Sequence, residues 1–275
     1  IEHFEKRKSI YYQAEVKEKI MNLKNKTALI TGASAGIGKA CAEVFAEAGA
    51  NLILSARRIS KIRELANSLE EEYGIKTYSF ECDVRLLEDV DKKLDAIPEE
   101  WKKPDILINN AGLARGFDKL HEGDIRNWEE MIDTNIKGLL YVSRKVIPWM
   151  EDRHEGHIIN IGSIAGVEVY PNGNVYCATK HAVKALSKSM AIDLNGTGIR
   201  VTNVDPGLVE TEFALVRFRG DKEKAENVYK GYTPLTGKDI ADVCLFAATR
   251  PKHVMIQDIL ITPTDQATAT MVNKK

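Results

Sequence analysis

From Lys26 onward, apolar residues follow two alternating patterns: short, nearly continuous runs rich in β-branched residues, and longer stretches with helical spacing. The runs TALIT (27–31), NLILSA (51–56), KTYSFE (76–81), DILINN (105–110), GHIIN (156–160), IRVTNV (199–204) and DILIT (258–262) read as seven strands. Helical stretches between strands imply βαβ units, and unbroken apolar runs predict a parallel sheet with helices on both faces. No internal repeat, low-complexity tract or linker divides the chain. The pattern predicts a single doubly wound α/β domain of Rossmann type over residues 21–275, with a seven-stranded parallel sheet. The long connection from Gly207 to about Gly237 carries charged and aromatic residues, so a substrate lid is expected at about 208–236.

Residues 1–20 are too charged for a secretory signal and lack its apolar centre, and Met21 stands directly before NLKNKTALITG. They are expected to be an extension or leader outside the fold; the alternative is a short docked helix. The 275 residues are 44% hydrophobic and 29% charged, a globular composition. A formal net charge of -1, with Lys and Arg scattered, leaves no footprint for nucleic acid or an anionic membrane. No apolar run approaches the ~20 residues that a bilayer span needs. Cys41, Cys82, Cys177 and Cys244 lie far apart with no C-x-x-C and no nearby His, which argues against zinc or any other metal and for reduced, buried thiols of a cytoplasmic protein.

The first strand runs into TGASAGIG, which places Gly32, Gly36 and Gly38 in a strand–turn–helix setting with the spacing G-x-x-x-G-x-G. Three glycines let the backbone turn tightly and approach a pyrophosphate at a helix N-terminus; a turn without a ligand explains one of them. NAD enzymes place an acidic residue at the end of the second strand, on the ribose 2′-hydroxyl. Here that strand ends in Ser55 and Ala56 and continues into Arg57 and Arg58. Guanidinium groups there suit a 2′-phosphate, so the expected cofactor is NADP(H). The alternative is that both arginines are solvated charges at a helix start.

In VYCATKHAV (175–183), Tyr176 and Lys180 stand at i and i+4 on one helix face. Such spacing also arises by chance. If the pair is chemical, an ammonium near a phenol stabilises its anion and lowers its ordinary pKa of ~10. A tuned Tyr beside a Ser hydroxyl would then serve the proton that a reduced carbonyl needs.

TGASAGIG, NNAG (109–112), NIGSIAG with Ser163, YCATK (176–180) and DPGLVET (205–211) occur together, and in this order the chain resembles the short-chain dehydrogenase/reductase family from about Leu23 to its C-terminus. The resemblance implies Tyr176 as general acid/base, Ser163 as donor to the substrate oxygen, Lys180 as tuner and nicotinamide-ribose ligand, and Asn135 of DTNIKG as a supporting group. It further implies cofactor contacts from Gly32, Ser34, Gly36, Ile37 and Gly38, from Asp83 and Val84 near adenine, from Asn110, and from Val209 to Thr211. The second strand's end and the segment after Pro206 are similar to the branch of NADP-dependent 3-hydroxy acid dehydrogenases, which includes serine and allo-threonine dehydrogenases. The implied enzyme is a cytoplasmic homotetramer acting on a small hydroxy acid. Its carboxylate would want a cation, and Arg217 or Arg219 of VRFRG could supply one; the alternative is that both are exposed surface charges. Reduction of other small carbonyls or of 3-oxoacyl thioesters is the rival reaction, and an NADP sensor without turnover the rival class.

Overall fold

The protein is described from a computed structural model covering residues 21–275, and the expectation for residues 1–20 lies outside the described residues. Seven strands, β1 (Thr27–Thr31), β2 (Asn51–Ala56), β3 (Thr77–Glu81), β4 (Ile106–Asn109), β5 (Gly156–Ile161), β6 (Ile199–Pro206) and β7 (Asp258–Ile261), form one parallel sheet in the order β3-β2-β1-β4-β5-β6-β7. Each lies within two residues of its predicted run. The order reverses between β1 and β4, the switch point outside whose strand ends such sheets bind ligands.

Side chains of a strand alternate between faces, so each central strand feeds two cores. Leu52 and Leu54 of β2 pack with Phe45 and Ile62 on one side, whereas Ile53 joins Leu29, Leu107 and Ile158 on the other. Helices α1 (Gly36–Glu47), α2 (Ile59–Tyr73) and α3 (Leu87–Asp95) alternate with the first strands. Beyond β4 the chain forms α4 (Ile125–Ile132), a π-helical turn (Asp133–Gly138), α5 (Leu139–Glu151) and, after β5, α6 (Asn174–Asp193). Small residues let α9 (Gly237–Ala248) pack against α1, where a Cβ on Gly237 would stand 3.2 Å from Ala40 Cβ. Two short helices, α7 (Phe213–Arg217) and α8 (Lys222–Tyr229), occupy the connection between β6 and α9. All four cysteines are buried, and no helix among the described residues is long and apolar enough to cross a membrane.

Candidate active site

A cavity of about 950 Å³ opens at the carboxyl ends of the strands. Its floor is the glycine turn. Gly32 and Gly36 adopt φ of +67° and +55°, which only glycine takes cheaply. Gly38 does not line the cavity: a Cβ there would stand 2.3 Å from Asn110 Nδ2, so its bareness lets Asn110 close behind the turn. Asn110 Nδ2 donates to the carbonyls of Thr31 (2.9 Å) and Gly32 (3.2 Å), tying the ends of β1 and β4 together. At the N-terminus of α1, Ala35 offers no side-chain cap and the first turn carries no acidic residue. Unsatisfied N–H groups facing a cavity at a helix start fit an anion.

Ser34 and Ile37 line the cavity beside the turn, with Asp83 and Val84 after β3, and Val209 and Thr211 opposite. Bonds from Arg85 at 2.9 and 3.0 Å hold the Asp83 carboxyl below its ordinary range, although burial opposes them. At the end of β2 the two arginines part company. Arg58 Nη1 pairs with Glu212 at 2.9 Å and its Nε donates to Ser34 Oγ at 3.1 Å, a surface clasp joined by Lys61 at 3.5 Å. Arg57 lines the same cavity and has no ion-pair partner among the described residues.

Farther in, β5 delivers Ser163, whose Oγ accepts the Ala165 N–H at 3.1 Å in the turn that follows. The opening turns of α6 deliver Tyr176 and Lys180, both buried. Lys180 Nζ donates to the Ile161 carbonyl at 2.8 Å and lies 6.0 Å from the centre of the Tyr176 ring. Burial lowers the Lys180 pKa to about 8 against the opposing charge of Asp205.

The phenol departs from the sequence expectation. Burial pushes the Tyr176 pKa above its ordinary value, with Tyr170 adding to the rise and Ser163 and Arg217 offsetting part of it. Spacing predicted an ammonium aimed at the phenol; the fold desolvates the phenol and directs Lys180 to a carbonyl, so desolvation dominates. Asn135 sits on the π-helical turn and grips the backbone of Leu113, accepting its N–H at 2.9 Å and donating to its carbonyl at 2.9 Å. Its side chain therefore supports the loop after β4, and a widened helical turn at such a place is a frequent mark of a functional site.

The structure also separates the two candidate cations. Arg219 lies outside the cavity lining and donates to Asn127 Oδ1. Arg217 lines the cavity: its Nε donates to the Gly116 carbonyl and its Nη1 to the Tyr170 hydroxyl, each at 3.1 Å. Its guanidinium carbon is 4.8 Å from the ring centre of Phe117, 5.6 Å from Tyr170 and 5.8 Å from Tyr176, and it forms no ion pair among the described residues. Sequence reasoning missed Phe117 and Tyr170 because isolated aromatics in loops carry no periodic signal. It also missed the C-terminal segment, where buried Gln266 accepts the Leu208 N–H at 2.8 Å and joins Ala269 and Thr270 in the cavity wall.

The chain is similar to known proteins over most of its length. The NADP-dependent 3-hydroxy acid dehydrogenase of Schizosaccharomyces pombe is 46% identical over 254 residues, covering 92% of this chain and 98% of that protein. The enzyme of the same name (YdfG) from Salmonella typhi is 43% identical over 242 residues, covering 88% and 96%. A solved structure, the closed form of serine dehydrogenase complexed with NADP+, superposes with a TM-score of 0.84 at 42% identity, covering 90% of this chain and 99% of that one. Residues 26–221 match the short chain dehydrogenase family, and the chain belongs to it.

Proposed function

We propose that the protein is an NADP(H)-dependent oxidoreductase interconverting the hydroxyl of a small 3-hydroxy acid, serine-like or allo-threonine-like, with the carbonyl of the 3-keto acid. The observation that carries the substrate class is Arg217, a guanidinium without an ion-pair partner among the described residues that reaches the Tyr170 hydroxyl and faces the Tyr176 ring. A carboxylate is the natural complement of a guanidinium whose fork is not yet spent on an acid. Related proteins named as 3-hydroxy acid and serine dehydrogenases support the same class. Cytoplasmic location and a homotetramer belong to this reading and rest on family resemblance.

The uncapped start of α1 suits the pyrophosphate of NADP(H), and Arg57 suits its 2′-phosphate. NADPH, when bound, supplies the hydride that reduces the carbonyl carbon. The side chains serve the oxygen. Ser163 donates a hydrogen bond to it, and Tyr176 transfers its phenolic proton as charge develops there. A phenol pushed upward by burial keeps that proton through neutral pH, and the oxygen of the forming alkoxide is far more basic. Lys180, held by the Ile161 carbonyl, keeps a positive charge near the phenolate left behind. Asn135 holds the loop on which the site rests, and the segment at about 208–236 acts as a lid carrying Arg217.

The substrate reading is tested by following NADPH oxidation and NADP+ reduction with a panel of 3-hydroxy and 3-keto acids, uncharged alcohols and carbonyls, and 3-oxoacyl thioesters. Higher kcat/KM for the acids is expected; preference for the thioesters would replace the reading with acyl reduction, and tight NADPH binding without turnover would replace it with sensing. Arg57→Ala separately tests the cofactor. It should weaken NADPH binding about 10-fold, the loss of one charge-assisted contact, and leave NADH almost unchanged. Equal losses for both dinucleotides would move the 2′-phosphate away from Arg57.

A further inference from the structure

Helix α6 carries a third member of the Tyr176–Lys180 stripe, Lys184, one more step of four along the same face. It leads to a carboxylate that the reaction outlined above leaves unused. Asp205, near the end of β6, is completely buried. One oxygen accepts the backbone N–H of Ser163 at 2.9 Å, and the other accepts from Lys184 Nζ at 2.9 Å. Lys184 continues to Asp258 at 3.0 Å, and Asp258 accepts from Asn203 Nδ2 at 3.0 Å. The carboxylate fills the space behind Gly162: a Cβ there would stand 2.0 Å from Asp205 Oδ1.

Burying a carboxylate is expensive unless it is paired and fully hydrogen-bonded. Here Lys184 supplies the pairing, and both oxygens are used. The loop that Asp205 backs, Ile161 to Ser163, carries the carbonyl that anchors Lys180 and the serine hydroxyl of the proposed chemistry.

We propose that Asp205 is a positioning residue: from behind Gly162 it fixes the Ile161–Ser163 loop, which carries both Ser163 and the carbonyl on which Lys180 rests, and together with Lys184 it is coupled to the Lys180 ammonium. This rests on the assignment of Ser163, Tyr176 and Lys180 to the proton-handling site. Charged or titratable groups around Lys180 are few. Tyr176 and Cys177 share its helix; Asp205, with Lys184 and Asp258, lies behind the Ile161–Ser163 loop on which Lys180 rests; and Arg217, bonded to Tyr170, stands 5.8 Å from the centre of the Tyr176 ring. Asp205 raises the Lys180 pKa against a burial that lowers it to about 8. Removing the Asp205 carboxylate should therefore lower the Lys180 midpoint, and removing the Lys184 ammonium that neutralises this carboxylate should raise it.

The experiment titrates Lys180 directly, by NMR of lysine labelled at the side-chain carbon next to Nζ, with Lys180→Met assigning the signal. Asp205→Asn should shift the Lys180 midpoint down, and Lys184→Met, which leaves the carboxylate uncompensated, should shift it up, each by roughly half a unit or more. In turnover, Asp205→Asn should lower kcat about 10-fold, the loss of Ser163 alignment, with the KM for NADPH held and the alkaline limb of the pH profile following Lys180. A purely structural role would lower activity without opposed midpoint shifts. Unmoved midpoints, or shifts of the same sign, overturn the proposal; where Asp205→Asn does not fold, Lys184→Met decides alone. Opposed shifts in a protein that turns over no carbonyl would uphold the coupling and remove the reaction.

Discussion

Replacing Tyr176 with Phe is expected to reduce turnover at least ~10²-fold while NADPH binding persists, because the change deletes one hydroxyl in the position proposed for the general acid. The ring remains. Its tilted contact with Phe213 at 5.7 Å and its packing with Leu113, Met131 and Cys177 do not involve the hydroxyl, so the cavity should keep its shape. No neighbour takes over the proton: the Ser163 hydroxyl is a far weaker acid, and Lys180 is turned to the Ile161 carbonyl. Single-turnover oxidation of bound NADPH measures the loss, and nucleotide fluorescence measures binding. The parent's rate of reduction should stay level through neutral pH, since burial keeps the phenol protonated, and fall as Lys180 loses its proton near about 8. A Phe variant with near-parental rates would return Tyr176 to a purely packing role.

Sequence legibility followed the range of the forces involved. The strands were readable because fully buried parallel strands must be apolar nearly throughout, as in Ile106–Asn109 and Gly156–Ile161. The glycine turn was readable because a positive φ and a close approach tolerate no Cβ. Residue spacing also found the Tyr176–Lys180 face, but not the burial that raises the phenol: desolvation depends on what covers a side chain, and no local pattern encodes that. Arg217 and Arg219 were indistinguishable in VRFRG. What separates them is tertiary, since Tyr170 and Phe117 come from distant loops to flank one, and Asn127 of α4 binds the other. Asp205 was visible only as part of a family motif. Its meaning requires Gly162 and Ser163, which follow β5, and Lys184 of α6, residues distant from it in sequence that the fold brings to it.

Arg217→Ala is expected to lower kcat/KM for the preferred hydroxy acid roughly 10- to 100-fold, matching the loss of a charge-assisted hydrogen-bond pair of ~1.5–3 kcal/mol. The loss should fall mainly on carboxylate-bearing substrates. An uncharged alcohol of the same size never uses the guanidinium, so its kcat/KM should change only a few-fold, and that residue reflects the packing lost against Phe117 and Tyr170. Arg217→Lys separates charge from geometry. An ammonium keeps the sign but lacks the planar fork that reaches the Gly116 carbonyl and the Tyr170 hydroxyl together, so it should recover part of the activity on acids. Arg219→Ala is the internal control: its guanidinium is held by Asn127 outside the cavity lining, and activity on acids should survive its removal. Parallel kinetics of the three variants on one acid and one uncharged alcohol decide the matter. Equal losses on both substrates in Arg217→Ala would make Arg217 a brace for the aromatic wall, and the carboxylate would then need another partner among the residues that line the cavity.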